Sequence, residues 1–331
     1  MTPLSGKDVS IVIPTPTERR WDSLVRAVDS ARAQHVAAAE IIVVVDHNPA
    51  LFALVKAKIP GVTVLPNSSA RGASGTRNTG AFHSDTPLIA FLDDDTVAHS
   101  AWLGNLLTPF ADPEVVGAGG GIIPAWEDIR PRWLPDELLW TVGVSYGGMP
   151  TAISEIRNVW SASMMVRRAV FMSVGGFRAG FGKIGEQNRP EDTELCLRMS
   201  AESGGRWMYV PDALIEHEVP FDRSTFRFFL HRCYAEGRGK VQMAGLLPRR
   251  QKLNTERAYL RHTLPRAVTR NLAAAGRGRG TAFALRAAAV VAAVAAAGVG
   301  GGVETIAALG GPAKVASRTA PERIVTSGIG H

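Results

Sequence analysis

The sequence predicts an α/β protein whose parallel sheet is covered by helices on both faces. Two observations carry that expectation. Near-continuous apolar runs of strand length recur through the first half, and stretches of helical periodicity separate them. Strands that do not alternate polar with apolar are those buried on both faces. Ligands of such sheets bind beyond the carboxyl ends of the strands, so the residues after each strand are the ones to read for chemistry.

The first strand is SIVIP at 10–14, and residues 21–34 place Leu24, Val25, Val28 and Ala31 at helical spacing. EIIVVV at 40–45 is a β-branched second strand, VTVL at 62–65 a third and PLIAFL at 87–92 a fourth. The fourth ends on Asp93, Asp94 and Asp95. Three carboxylates where a strand emerges repel one another, and a divalent metal is the simplest neutraliser. Oxygen ligands favour Mg2+ or Mn2+, and Mg2+ commonly bridges carboxylates to substrate phosphates. A solvated acidic turn is the plain alternative.

The other strand ends are suggestive too. PTPTERR (14–20) follows the first, DHN (46–48) the second, and NSSARGASGTRNTG (67–80) the third. Small residues, arginines and an acidic cluster along one edge suit a nucleoside diphosphate with a metal. The glycine-rich stretch lacks the order GxxxxGK[ST], and GxGxxG is absent after the first strand. A P-loop and a Rossmann dinucleotide site are therefore not expected.

The second half contains GAGGGIIP (117–124), a loop with Trp126, Trp133 and Trp140, and WSASMMVRR (160–168). RPEDTELCLRM at 189–199 reads as a helix start. Pro190, Glu191 and Asp192 suit its N-terminus, and Leu195 and Met199 form an i,i+4 apolar pair. Charge complementarity at a helix end accounts for those acids equally well.

Composition sets the bounds. The 331 residues, 46% hydrophobic and 20% charged, suffice for one large domain with extensions. Two cysteines, Cys196 and Cys233, allow no disulfide framework and no CxxC zinc pattern, so a reducing compartment is expected. No apolar segment of signal-peptide length precedes the first strand. The net charge of +7 is uneven: residues 223–286 hold 15 Lys/Arg against Glu236 and Glu256, leaving 22 basic and 28 acidic residues elsewhere. Such basic segments bind anionic membranes or nucleic acid.

Within that segment, residues 225–235 put Phe226, Phe229, Leu230 and Cys233 on one helical face. Residues 246–270 mix apolar groups with arginines, as interfacial helices do. The uncharged run 287–303 is short for a span and rich in Ala and Gly. It reads as an interfacial or partly buried helix, with a marginal span as the alternative. The expected division is a catalytic domain at 1–222, a basic and apolar helical extension at 223–309, and a flexible tail at 310–331.

Taken together, the motifs resemble family-2 glycosyltransferases, and the resemblance covers roughly residues 8–235. The matching pieces stand in the family's order: SIVIPT, EIIVVVD, RGASGTRNTG, FLDDDT, GGGI, SASMMVRRAVFMSVGGF, the ED of 191–192, and IEHEVP of 215–220. The resemblance implies a GT-A fold, a Rossmann-like nucleotide-diphospho-sugar transferase architecture, and an inverting displacement. It implies that Thr15 and Arg19 lie near the nucleotide and that Asp46 hydrogen-bonds the base. Arg71 and Arg77 would approach the nucleotide or its pyrophosphate, with Asp93 near the ribose and Asp94 beside it. Asp95 and His217 would hold the metal. Asp192 would be the general base, supported by Glu191.

Two departures from the family pattern stand out. An AspAspGlySer-like sequence is usual after the second strand, where this chain has Asp46-His47-Asn48-Pro49. The QxxRW motif of processive synthases is also missing, since Ser203 stands where the Gln would precede Arg206 and Trp207. Single-sugar transfer is therefore expected.

The expected function is metal-dependent, inverting transfer of one sugar from a nucleotide sugar to an acceptor hydroxyl, using Mn2+ or Mg2+. The tail suggests a lipid-linked acceptor, a place in cell-envelope glycan or glycolipid synthesis, and peripheral attachment to an anionic membrane at its cytoplasmic face. The alternatives are a sugar nucleotidyltransferase and a nucleic-acid-binding protein. No nucleic-acid motif occurs in the basic segment, so no nucleic acid is expected as partner.

Overall fold

The computed structural model describes residues 4–179, 181–184, 187–246 and 259–310. Strands β1 (Val9–Thr15), β2 (Glu40–Val45), β3 (Thr63–Pro66) and β4 (Leu88–Leu92) run parallel in the order β3-β2-β1-β4. Helices α1 (Trp21–Arg32), α2 (Pro49–Lys58) and α3 (Ala73–His83) connect them. Every residue of β1 and β4 is buried, so their apolar runs do not alternate. Each fully buried Val, Ile or Leu there contributes about 1.5–3 kcal/mol.

Beyond β4 the expectation of a parallel sheet needs correction, because the sheet becomes mixed. The chain continues through β5 (Thr96–Ala98), α4 (Trp102–Leu107), β6 (Val115–Trp126), β7 (Ser154–Ile156), β8 (Ser163–Arg167) and α5 (Arg168–Ser173). A small hairpin of β9 (Gly182–Ile184) and β10 (Gln187–Arg189) then leads to α6 (Glu191–Ser203) and β11 (Arg206–Val219). β8 inserts antiparallel between β4 and β6, β11 runs parallel to β6, and β5 and β7 pair antiparallel with β11.

The glycines of 117–121 belong to β6, where small size is a packing requirement. A Cβ on Gly117 would lie 2.3 Å from the Trp207 ring, and one on Gly119 2.3 Å from Val159. Trp207 is buried against this glycine face and donates its indole N–H to the Cys196 carbonyl at 3.0 Å.

A hydrophobic core covers each face of the sheet. On one side α1 and α4 supply Leu24, Val28, Trp102 and Leu103. On the other, Phe91, Phe171 and Phe177 meet with ring centroids 5.4–5.7 Å apart, beside Leu195 and Met199 of α6.

The C-terminal helices α7 (Phe226–Leu246), α8 (Leu264–Gly276) and α9 (Thr281–Gly310) pack on the first of these cores. Phe229, Cys233, Leu264, Ala267, Val290 and Ala293 share one buried cluster with Leu134 and Leu138. Trp133 stands edge-on to Phe226 and Phe229 at 5.0 and 5.1 Å. Of the apolar face read at 225–235, Phe229 and Cys233 are buried, while Phe226 stays 43% exposed. The run 287–303 lies within α9. Residues 247–258 and 311–331, including nearly all of the expected tail, lie outside the described residues.

Candidate active site

Sheet register brings Asp95 and His217 together. β5 pairs with β11 so that Thr96 faces His217, and the Glu218 N–H donates to the Asp95 carbonyl at 3.0 Å. His217 Nε2 thus sits 3.6 Å from Asp95 Oδ1, with both residues buried. Burial pushes the His217 pKa down, although the Asp95 charge opposes it. The imidazole is therefore biased to the neutral form that ligates metals. Its Nδ1 is buried without a hydrogen-bond partner among the described residues.

Carboxylate oxygen with neutral imidazole is a donor pair suited to Mn2+ or Mg2+. Among the described residues no group of three His, Cys, Asp or Glu side chains could hold an ion. A cation at this pair would thus take its remaining ligands from water or a bound phosphate, as Mg2+ commonly does. On that chemistry the residues fit a divalent ion.

Arginines also reach the acidic triplet. Arg20 Nη1 donates to Asp94 Oδ1 at 2.8 Å and lies 3.2 Å from Asp95 Oδ2. Burial opposes its charge, but Asp95 and Asp94 outweigh that and raise its pKa. Arg223, in the turn Phe221–Ser224, lies 3.8 Å from Asp95 and 3.5 Å from His217 Nε2. Burial pushes Asp94 up to about 6, with Asp95 adding to the shift and Arg20 opposing it. Arg19, singled out in the sequence, is exposed, while Arg20 and Arg223 were not singled out. Nothing in the pair ArgArg at 19–20 tells which one turns inward. Arg223 had a usable signal: it follows the IEHEVP motif by three residues.

The second acidic group stands across Arg77. This α3 arginine is 3% exposed. Its Nη2 donates to Asp93 Oδ1 at 2.5 Å, Nη1 lies 3.5 Å from Glu191 Oε1, and its guanidinium stacks over Phe177 at 5.6 Å. Asn78 latches α3 to the loop after α5 by exchanging hydrogen bonds of 2.7 and 2.8 Å with the Phe177 backbone. Burial would raise the Asp93 pKa, but Arg77 outweighs it and holds the carboxyl below its usual range.

Glu191 and Asp192 open α6. Burial pushes Glu191 up to about 7, with Asp192 adding and Arg77 opposing. Burial also raises Asp192, against the charge of Arg77 and a hydrogen bond with Ser161. Asp192 Oδ1 is buried without a hydrogen-bond partner among the described residues, so it keeps lone pairs for a proton donor.

Thr15 ends β1 and is fully buried, and its carbonyl accepts from the Asp46 N–H at 2.9 Å. Both Asp46 oxygens are engaged: Asn67 Nδ2 donates to one at 2.7 Å and the Gly72 N–H to the other at 2.9 Å. Asp46 therefore pins the 67–72 loop to the end of β2. His47 takes a left-handed φ of 50°. Asn48 then caps α2, accepting from the Leu51 N–H at 3.1 Å with Pro49 in the first turn. This explains the departure after the second strand, because Asn-Pro is a helix start. Arg71 is exposed, its Nη2 3.4 Å from the His47 carbonyl. A separate cleft of about 330 Å³, with Ser69, Asn78, Arg178 and Arg198 in its wall, is not lined by the acidic groups.

The strand-end edge thus brings together a carboxylate–imidazole pair, three arginines and two half-buried carboxyls. The model of the family described as "Glycosyl transferase family 2" matches residues 10–175. A curated relative, "Glucosyl-dolichyl phosphate glucuronosyltransferase" of Haloferax volcanii, is 30% identical over 258 residues, 76% of this chain and 82% of its own length. "Pre-mycofactocin glycosyltransferase" of Mycobacterium tuberculosis is 30% identical over 219 residues, 65% of this chain; that match spans 43% of the mycobacterial protein. Among solved structures, a mannosyltransferase of Pyrobaculum calidifontis in complex with GDP-Man and Mn2+ superposes with a TM-score of 0.56. It is 16% identical, covers 89% of this chain and 86% of its own, and shares the GT-A fold. Both the sequence and the fold therefore lead to one conclusion: the chain belongs to glycosyl transferase family 2.

Proposed function

We propose that this glycosyltransferase moves a single sugar, with inversion, from a nucleoside-diphosphate sugar to a hydroxyl of a lipid-linked acceptor. The reaction would need Mn2+ or Mg2+ and would run at the cytoplasmic face of a membrane, in glycolipid or cell-envelope glycan synthesis. One observation carries this reading. Arg77 bridges Asp93, beside the cation pair, and Glu191, beside the unpartnered oxygen of Asp192.

Negative charge develops on the leaving diphosphate, and a cation held by Asp95 and His217 would stabilise it there. Arg20 and Arg223 add positive charge on the same side. The acceptor hydroxyl must lose its proton as it attacks, and Asp192 would take it, with Glu191 supporting; such a base is worth about 10²–10⁴-fold. Thr15, Arg19, Asp46 and Arg71 would form the nucleotide side. Arg77 lies too deep for direct phosphate contact and acts as a positioning residue.

Support for a lipid-linked acceptor is twofold. The haloarchaeal relative carries glucosyl-dolichyl phosphate in its name. Exposed apolar groups also flank Arg223: Phe221 is 57% exposed in the same turn, and Phe226 opens the next helix. Phe221 is tied to the 126–134 loop, where Ile129 is exposed, through its N–H, which donates to Glu127 at 2.7 Å.

A panel of UDP-, GDP- and dTDP-sugars, each melted with and without Mn2+, tests the donor. The correct one at about 100 times its Kd is expected to stabilise the fold by roughly 2.7 kcal/mol. If no nucleotide sugar with Mn2+ or Mg2+ stabilises the protein, the donor reading is wrong.

Arg77→Lys tests the bridge. Lysine keeps the charge but loses the planar fork that reaches two carboxylates. Turnover is expected to fall about tenfold or more, with a lower but still cooperative melting transition. Wild-type turnover in that variant would remove the bridge from the mechanism.

A further inference from the structure

We infer that α9 is a side-on membrane-docking helix: its outward face lies in the plane of an anionic bilayer, and it does not cross it. This takes the membrane location of the proposed function further and rests on it in that respect; the donor assignment is independent.

Thr281–Leu309 is long and apolar enough to span a bilayer. Its packing argues against that orientation. One face of its C-terminal half is occupied by α7. A Cβ on Gly237 would stand 2.0 Å from the Ala297 carbonyl, and one on Gly300 2.1 Å from the Tyr234 carbonyl. The two backbones are therefore in contact. Near its C-terminal end, Glu304 turns toward α7 and pairs with Arg238 at 2.7 Å and Gln242 at 2.9 Å. The same stretch of α7 carries a Lys240–Glu236 pair at 3.0 Å. A spanning α9 would draw these charges toward hydrocarbon, where ionised side chains are costly.

The opposite face of α9 is different. A stripe at three- and four-residue spacing from Ala284 to Leu309 is exposed throughout and carries no charge. Val291 is 61% exposed and Ile306 72%. Thirty residues of helix make a strip roughly 45 Å long. An apolar strip of that extent on a soluble surface marks an interaction site.

Charge identifies the occupant. Residues 259–310 contain six arginines and one acid, the inward-turned Glu304. Arg266 is exposed on α8, and Arg277 and Arg279 lie in the turn before α9, whereas Arg270 is tied to the buried Glu137 at 2.8 Å. Two copies meeting through this face would bring like-charged collars together. An anionic headgroup layer satisfies both the collar and the apolar strip, the combination by which amphipathic helices lie in an interface.

The test uses the full chain sedimented with phosphatidylglycerol-containing and pure phosphatidylcholine vesicles, at low and high salt. The wild type is expected to bind the anionic vesicles, less at high salt, and alkaline carbonate should release it. The triple variant Val291→Glu, Val299→Glu, Ile306→Glu changes exposed positions and should keep the wild-type melt and donor stabilisation. It is expected to lose vesicle affinity by about a hundredfold or more. Wild type that ignores anionic vesicles, or a variant that binds them unchanged, overturns the inference. Retention after carbonate treatment means a span and overturns it too. A lipid-free dimer that the variant converts to a monomer assigns the face to a second copy instead.

Discussion

Asp192→Asn is expected to lower sugar transfer by about two orders of magnitude or more while donor binding persists. The substitution is nearly isosteric, so the start of α6 and the hydrogen bond with Ser161 should survive. What it removes is the ability to take the acceptor's proton. Asp192 suits that task because its Oδ1 is buried and unpartnered among the described residues, whereas Glu191 faces Arg77 at 3.5 Å. Single-turnover transfer, with donor affinity from thermal shift, separates the two effects. Wild-type turnover in the Asn variant would take Asp192 out of the role.

The same assignment makes a pH prediction. A general base works ionised, so activity falls as pH drops through its pKa. Burial raises both Asp192 and Glu191, the latter to about 7, and the two titrate as neighbours. The acid limb of the rate profile should therefore lie above the ordinary carboxylate range of about 4. It should disappear from the residual activity of Asp192→Asn. A wild-type limb at the ordinary carboxylate position would mean the base is not a carboxyl of this pair.

β1, β2 and β4 were legible because burial on both faces leaves a near-continuous apolar run, whereas β3, a partly buried edge strand, was read from its short β-branched stretch. The second half was not. β6 carries glycines at 117 and 119–121 because the Trp207 indole, Val159 and the Pro211 and Ala213 carbonyls take the space a Cβ would need, and glycine weakens the local strand signal. β8 returns antiparallel without a crossover helix, a fact of tertiary pairing that no local pattern encodes. The long α9 was read only in its apolar middle, since Arg286 and Glu304 interrupt the run although each has a partner: Arg286 donates to the Arg132 carbonyl at 3.1 Å, and Glu304 pairs with Arg238.

The candidate site was legible where a motif sits on a strand end or helix start. Asp93–Asp95, Glu191, Asp192 and His217 all lie on the edge that the α/β rule selects. Membership of the glycosyltransferase family also decides for the transferase over the nucleotidyltransferase alternative. Which arginine faces inward was not legible. Three acids implied a positive neighbour, and sequence reasoning supplied a metal; the fold also brings Arg20, Arg77 and Arg223 to those acids. Of the pair Arg19 and Arg20, it is Arg20 that meets the acids, and Arg77 of α3 lies between Asp93 and Glu191.

Asp95→Asn separates these two sources of positive charge, and it is expected to abolish Mn2+-dependent donor binding with the fold intact. Asparagine fills the same volume, and its carbonyl oxygen can still accept from Arg20, which keeps its 2.8 Å bond to Asp94. The Arg20 side chain is also 36% exposed, so solvent softens any loss of charge pairing. A neutral amide beside His217 is a far weaker partner for a divalent ion than a carboxylate. Metal affinity should fall by about a hundredfold or more, since even outer-shell changes cost 10–100-fold. Donor affinity measured without metal should change little, because Arg20 and Arg223 remain. Calorimetric titration of Mn2+ with nucleoside diphosphate present reads both quantities. If instead Asp95→Asn keeps its metal response while Arg20→Gln loses donor binding, the arginines are the diphosphate's main counter-charge, and the acids serve to position them.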